Sequence, residues 1–255
     1  MKLSASDNPR PVKILSAVFS ILIVLTASSI ALAQQKVSHR YPAGENVRFE
    51  LKNVTGTITV ETWNRDEIAV TALMDNRKAT INPRMTEAGL VIDIVGDNRG
   101  LGGNVGDINF KIQLPARSSV DLETRSGQIN VHNVQGDLVR AHIWTSGDIQ
   151  MLGVNASRVF ASNVEGNIFF DGEFVAGGTY EFKSGRGTIS LQLPASCGFH
   201  VVATSSVKRI SMGPFWDERR MQLLSDGRRI TGDVGDGRAS VTITNYQGNI
   251  QFFRR

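Results

Sequence analysis

One short phrase recurs through the second half of this 255-residue chain, and its period limits what the chain can fold into. Each copy opens on an apolar residue that starts an alternating stretch. It then passes a Ser/Asn/Gly turn and reaches an Ile that starts a second alternating stretch. The first starters are Val120, Val139, Val159, Tyr180, Val201 and, after an interruption, Val241. The second starters are Ile129, Ile149, Ile168, Ile189, Ile210 and Ile250. Internal periods of about 20 residues mark stacked repeats, in which no copy buries its apolar face alone.

In one copy, alternation puts Val139, Ala141, Ile143, Ile149 and Met151 on one face, with Arg140, His142, Asp148 and Gln150 on the other. Gly127, Gly147, Gly166, Gly187 and Gly248 each stand two residues before an Ile, where the chain must turn with little room for a side chain. The expected fold is all-β: a single-stranded, parallel, β-helix-like solenoid with coils of about 20 residues. Each strand is expected to pair in parallel with the coils before and after it. Antiparallel hairpins are the competing geometry, which half-repeats of this length also permit.

Upstream, Phe49-x-Leu51 and Gly56-Thr-Ile58 give the same phrase, followed by candidate strands at 68–73, 90–95 and 108–114. Asp97 to Asp107 reads as a Gly/Asn loop, so this half is expected to be a less regular cap that begins the stack. Residues 213–237 break the rhythm and read as an inserted excursion carrying Pro214-Phe-Trp216, Arg219-Arg220 and Arg228-Arg229. Loops on a rigid scaffold often make the specific contacts.

Residues 1–33 have the layout of a secretory signal peptide. Lys2, Arg10 and Lys13 precede an apolar run from Ile14 to Ile30, and Ala31-Leu-Ala33 supplies a small-x-small cleavage pattern. An uncleaved anchor is the rival reading, because the run nears the length that spans a bilayer. Residues 34–44 read as a linker and 45–255 as the repeat domain, with no second apolar span. The whole chain has 28 basic against 24 acidic residues; without Lys2, Arg10, Lys13 and Asp7 the count is 25 against 23, a formal charge of +2. That balance and the lack of a long basic run argue against nucleic acid as a partner. Cys197 is alone, so no intrachain disulfide forms, and it reads as a buried, inert thiol.

Several phrases form an ordered set: Asn53-Val-Thr-Gly-Thr-Ile-Thr-Val, Phe110-Lys-Ile-Gln-Leu-Pro, Thr124-Arg-Ser-Gly-Gln-Ile-Asn-Val, Thr145-Ser-Gly-Asp-Ile and Val241-Thr-Ile-Thr-Asn-Tyr-Gln-Gly-Asn-Ile. Together they resemble the bacterial β-strand-repeat family known as "putative adhesin", over essentially all of residues 45–255. The resemblance implies an exported, all-β, solenoid-like domain and no established activity. The chain departs from the pattern at Ser205-Ser-Val207, where a Ser-Gly turn is expected, and in the length of the 213–237 excursion.

Candidate chemistry is sparse. Strand register would set Asp121 beside Arg140, Glu123 beside His142 and Arg125 beside Trp144 on one outward face. Paired carboxylates suit a glycosidase, but carboxylates at i and i+2 face the same way rather than across a bond, so a surface charge ladder is the better reading. The four His residues (39, 132, 142, 200) have no metal-ligand spacing. The glycines of 100–106 precede a strand rather than a helix, so no phosphate site is expected there. The Asp-Gly turns of 226–237 lack the reiteration of calcium-binding repeats. No cofactor is implied.

The leading expectation is an exported, non-catalytic binding or adhesion-like protein of the bacterial envelope. Its partner would be a glycan or an envelope protein, anchored by Trp144, Trp216, Arg219, Arg220, Arg228 and Arg229. A periplasmic structural or envelope-stress module is the second reading. A carbohydrate-active enzyme using Asp121 and Glu123 is the third.

Overall fold

A computed structural model describes residues 35–75, 79–96, 106–207 and 209–255. The segment read as a signal peptide and most of the 97–107 loop lie outside the described residues. The N-terminal strands are β1 (Gln35–Pro42), β2 (Arg48–Trp63), β3 (Glu67–Met74), β4 (Ala79–Thr86), β5 (Gly89–Gly96) and β6 (Ile108–Pro115). The repeat strands are β7 (Ser119–His132), β8 (Leu138–Ile143), β9 (Ile149–Val154), β10 (Arg158–Glu165), β11 (Ile168–Gly172), β12 (Thr179–Arg186) and β13 (Ile189–Leu193). The rest are β14 (Phe199–Ser205), β15 (Ile210–Ser211), β16 (Met221–Leu224), β17 (Arg229–Val234), β18 (Ala239–Gln247) and β19 (Ile250–Arg254). The described chain is therefore all-β, apart from a 3-10 turn at Gly213–Phe215.

Most of the pairing is parallel, in two ladders that share the long strands β2 and β7. The first ladder runs Leu90, Phe49, Val120, Val139, Val159, Tyr180, Val241, Val201, each paired with the next. The second runs Phe110, Ile58, Ile129, Ile149, Ile168, Ile189, Ile250, Ile210. The repeat starters thus stack in register, as alternation requires if every copy is to bury the same face.

Chain order fails at both ends. Strands β18 and β19 are inserted between β12–β13 and β14–β15, and β2 lies between β5–β6 and β7. The expectation of strictly successive neighbours holds from β7 to β13 and is corrected outside it. The intervening segment is long enough to carry the chain back, so the final copy gains a partner on each side instead of becoming an edge.

Antiparallel strands finish the ladders: β4 on β5, β3 on β6 and β1 on β3 at one end, β17 on β14 and β16 on β17 at the other. Residues 35–42, read as linker from sequence, are therefore a strand. Val37 and Tyr41 pack against the core there, too weak an alternation to stand out. Within residues 213–237 the chain leaves the parallel ladders and forms the antiparallel β16–β17 pair.

The corner between the ladders explains the repeated glycine. Gly56, Gly127, Gly147, Gly166, Gly187 and Gly248 form a column with φ between 111° and 152°. A Cβ on Gly147 would lie 1.6 Å from the Gly127 carbonyl oxygen, and one on Gly248 would lie 1.7 Å from that of Gly187. Only glycine fits this approach. Buried polar side chains line the inside of the corner. Asn163 and Asn245 donate from Nδ2 to the Gly147 and Gly187 carbonyls at 2.9 and 2.8 Å, and Ser184 Oγ donates to Gly166 at 3.3 Å. Those bonds give the corner carbonyls side-chain partners.

Toward the C-terminal end the core becomes aromatic. Phe174 contacts Phe170, Tyr180 and Phe199, and Phe199 stacks on Phe252 at 5.9 Å. Tyr180 is fully buried; its hydroxyl donates to the Ala156 carbonyl at 2.8 Å and accepts from the Val175 N–H at 2.6 Å. Cys197 is buried, and burial pushes its thiol pKa up.

Candidate functional site

The excursion builds a cavity of about 660 Å³ against the end of the stack. The 3-10 turn divides its two aromatic residues. Phe215 turns inward, with ring centroids 6.0 Å from Phe199 and 6.4 Å from Phe252, while Trp216 stays 41% exposed and lines the cavity. Burying Phe215 therefore fixes where Trp216 points.

Asp217 shapes the next turn. Its Oδ1 accepts the Arg219 N–H at 2.9 Å, and its carbonyl accepts the N–H of Arg220 and of Met221. Arg220 Nη1 donates to the Gly235 carbonyl at 2.6 Å, which ties the two walls together. Among the described residues, the guanidinium of Arg219 has no partner, and Arg254 of β19 joins it in the lining. Asp217, Glu218 and Asp233 add negative charge, with Asp233 Oδ1 2.6 Å from His200 Nδ1. An indole beside the unpaired Arg219 guanidinium and a set of carboxylates suits a polar ligand that has one flat, apolar face.

Of the residues singled out in the sequence, the structure brings Trp216, Arg219 and Arg220 into this cavity. Arg228 and Arg229 stand apart. β17 runs from Arg229 to Val234, and only Asp233 and Val234 at its far end reach the lining, so Arg229 lies about 13 Å away along the strand. Arg228 Nε donates to the Ser225 carbonyl at 3.3 Å. Trp144 follows β8, on the outward side of the first ladder and away from the cavity. Arg254 was missed because nothing local to β19 links it to the excursion; the inserted position of β19 does.

The outward face of the first ladder carries the polar row that register predicts. Arg140 Nη1 lies 2.9 Å from Asp121 Oδ2, with Arg48 Nη2 at 3.6 Å. Burial pushes the Asp121 carboxyl up, and the Arg140 charge only partly opposes it. Glu123, His142, Ser162 and Lys183 form the adjoining row. His142 Nδ1 lies 2.5 Å from Ser162 Oγ, and its ring meets Trp144 edge-on at 4.3 Å. Burial lowers the His142 pKa, against the pull of Glu123. Asp121 and Glu123 leave one strand on one side, and Asp121 is engaged by Arg140 and Arg48.

No protein-family model matches the sequence, and no curated protein matches it. Solved structures do. A "putative cell adhesion protein" from Clostridium sporogenes is similar with a TM-score of 0.54 at 13% identity, over 88% of this chain and 100% of that one. A "putative adhesin" from Bacteroides fragilis covers 88% of this chain and 99% of its own at 11% identity and TM-score 0.40. A third, a "putative adhesin" from Parabacteroides merdae, covers 87% and 92% at 10% identity and TM-score 0.30. The first shows a shared fold. Among the described residues no helix is long and apolar enough to cross a membrane.

Proposed function

We propose that this chain is an exported, non-catalytic binding protein of the bacterial envelope, a rigid solenoid-like scaffold that presents its contacts at one capped end and along one side. The observation that carries this reading is the cap cavity, where a buried Phe215 holds Trp216 outward beside the unpaired guanidinium of Arg219. Leaving an indole half-exposed forfeits burial worth about 25 cal/mol per Å² of apolar surface. A bound partner would recover it. The likeness in fold to the Clostridium sporogenes structure supports the same direction.

Adding protease to intact cells tests the reading. Cleavage of the protein without opening the cells is expected for a surface adhesion role. Protection that ends only when the outer envelope is opened would defeat adhesion and move the search to periplasmic partners.

A further inference from the structure

A second, different surface stands on the first ladder. The residue five places after each repeat starter falls in one outward row, which in ladder order reads Arg125, Trp144, Val164, Gly185, Tyr246, Ser206. Trp144 is 60% exposed, Val164 57% and Tyr246 51%. Scattered exposed apolar residues are ordinary, but these three share one row, Trp144 beside Val164 and Tyr246 two strands further on. The fold itself sets the gap at Gly185. A Cβ there would lie 2.4 Å from the Val164 carbonyl oxygen, so the row dips between Val164 and Tyr246 into a groove of about 260 Å³.

The next row walls that groove with flat polar groups. Arg186 Nε donates to Gln247 Oε1 at 3.2 Å, and Arg186 Nη1 lies 3.5 Å from Glu165 Oε1. Glu165 and Arg186 cancel in charge, so the groove itself gives a polyanion or polycation nothing to pair with, and Arg125 stands outside it, beyond Trp144. What remains is aromatic surface beside hydrogen-bonding planes, arranged along the stacking axis.

We propose that this row binds an uncharged, hydroxyl-rich saccharide chain lying across the strands. The C–H faces of its rings rest on Trp144 and Tyr246, and its hydroxyls meet Glu165, Arg186 and Gln247. Three strand steps of about 4.8 Å separate Trp144 from Tyr246, or about 14 Å, room for a short run of sugar rings. The proposal rests on the reading of the chain as a binding protein and names the ligand class for its side face.

Titration of the purified protein with cellohexaose, xylohexaose and chitohexaose tests it. Saturable binding of at least one is expected, weakened about tenfold by Tyr246→Ala and by Trp144→Ala. Tyr246→Phe should retain it, and Met85→Ala, at an exposed residue of β4, should leave it unchanged. All of these side chains are exposed, so the variants should melt with the parent protein. Failure of all three sugars to bind, or binding indifferent to Trp144 and Tyr246, overturns the proposal. So does binding of a hexaglutamate peptide at this row in their place. None of those results touches the cap, which is tested through Trp216 and Arg219.

Discussion

Val241 pairs directly with Tyr180, and Val201, which comes between them in the chain, pairs with Val241 from the outer side. The last copy of the repeat is therefore the wedge on which the preceding copy rests. Without β18 and β19, strands β14 and β15 have no parallel partner, and the cap strands β16 and β17 lose their base.

Removing residues 239–255 should thus cost far more than one copy. Amide hydrogen exchange of the truncated chain should show protection lost over 199–234 while 119–170 stays protected. Full protection of 199–205 in that chain would contradict the inserted order.

The glycine column gives a sharp contrast. Gly147→Ala places a methyl where the Gly127 carbonyl stands, at a φ of 151°, and should destabilise by more than about 2 kcal/mol. Gly44→Ala meets no atom within 4 Å and should change stability by less than about 0.5 kcal/mol. Urea unfolding of the two variants compares them.

Tyr180 should make the protein alkali-sensitive. Burial pushes its hydroxyl up to about 12, against an ordinary value near 10. Between those values the unfolded chain releases the phenol proton and the native protein keeps it. This contribution to stability is complete below about pH 10 and falls as pH rises toward 12. Tyr180→Phe should abolish that part of the slope. At neutral pH it should cost about 1–3 kcal/mol, since the Val175 N–H and the Ala156 carbonyl lose their partner. Denaturant midpoints measured against pH check both statements.

Adjacent aromatics in the excursion should behave oppositely. Phe215→Ala opens a hole beside Phe199 and Phe252 and should lower stability by about 3 kcal/mol. Trp216→Ala should stay within about 0.5 kcal/mol, because its side chain packs outward. Equal losses would mean that the indole holds up the cap. Point variants are for this reason a cleaner probe of the cavity than deletion of the excursion, which removes Phe215 as well.

Much of the ladder was legible, because strand alternation and the Gly-x-Ile spacing are local properties. The Val and Ile starters, the corner glycines and the Asp121–Arg140 and Glu123–His142 neighbours all followed from spacing alone. The neighbours of Val201 did not. Every copy presents nearly the same edge to a partner, so a period records that copies stack without recording which is next. The cap was half legible. Pro214-Phe-Trp216 marked an excursion, but which ring turned inward depended on Phe199 and Phe252. The row of Trp144, Val164 and Tyr246 was available at a fixed offset from the starters, yet it needed the inserted position of β18 to bring Tyr246 beside Gly185.

Sedimentation of the purified protein with isolated bacterial envelopes most directly tests the claim that it works by binding. Saturable association is predicted, lowered about tenfold when Trp216→Ala and Arg219→Ala are combined, with an unchanged melting curve. No saturable association, or association indifferent to both cap residues, would contradict it.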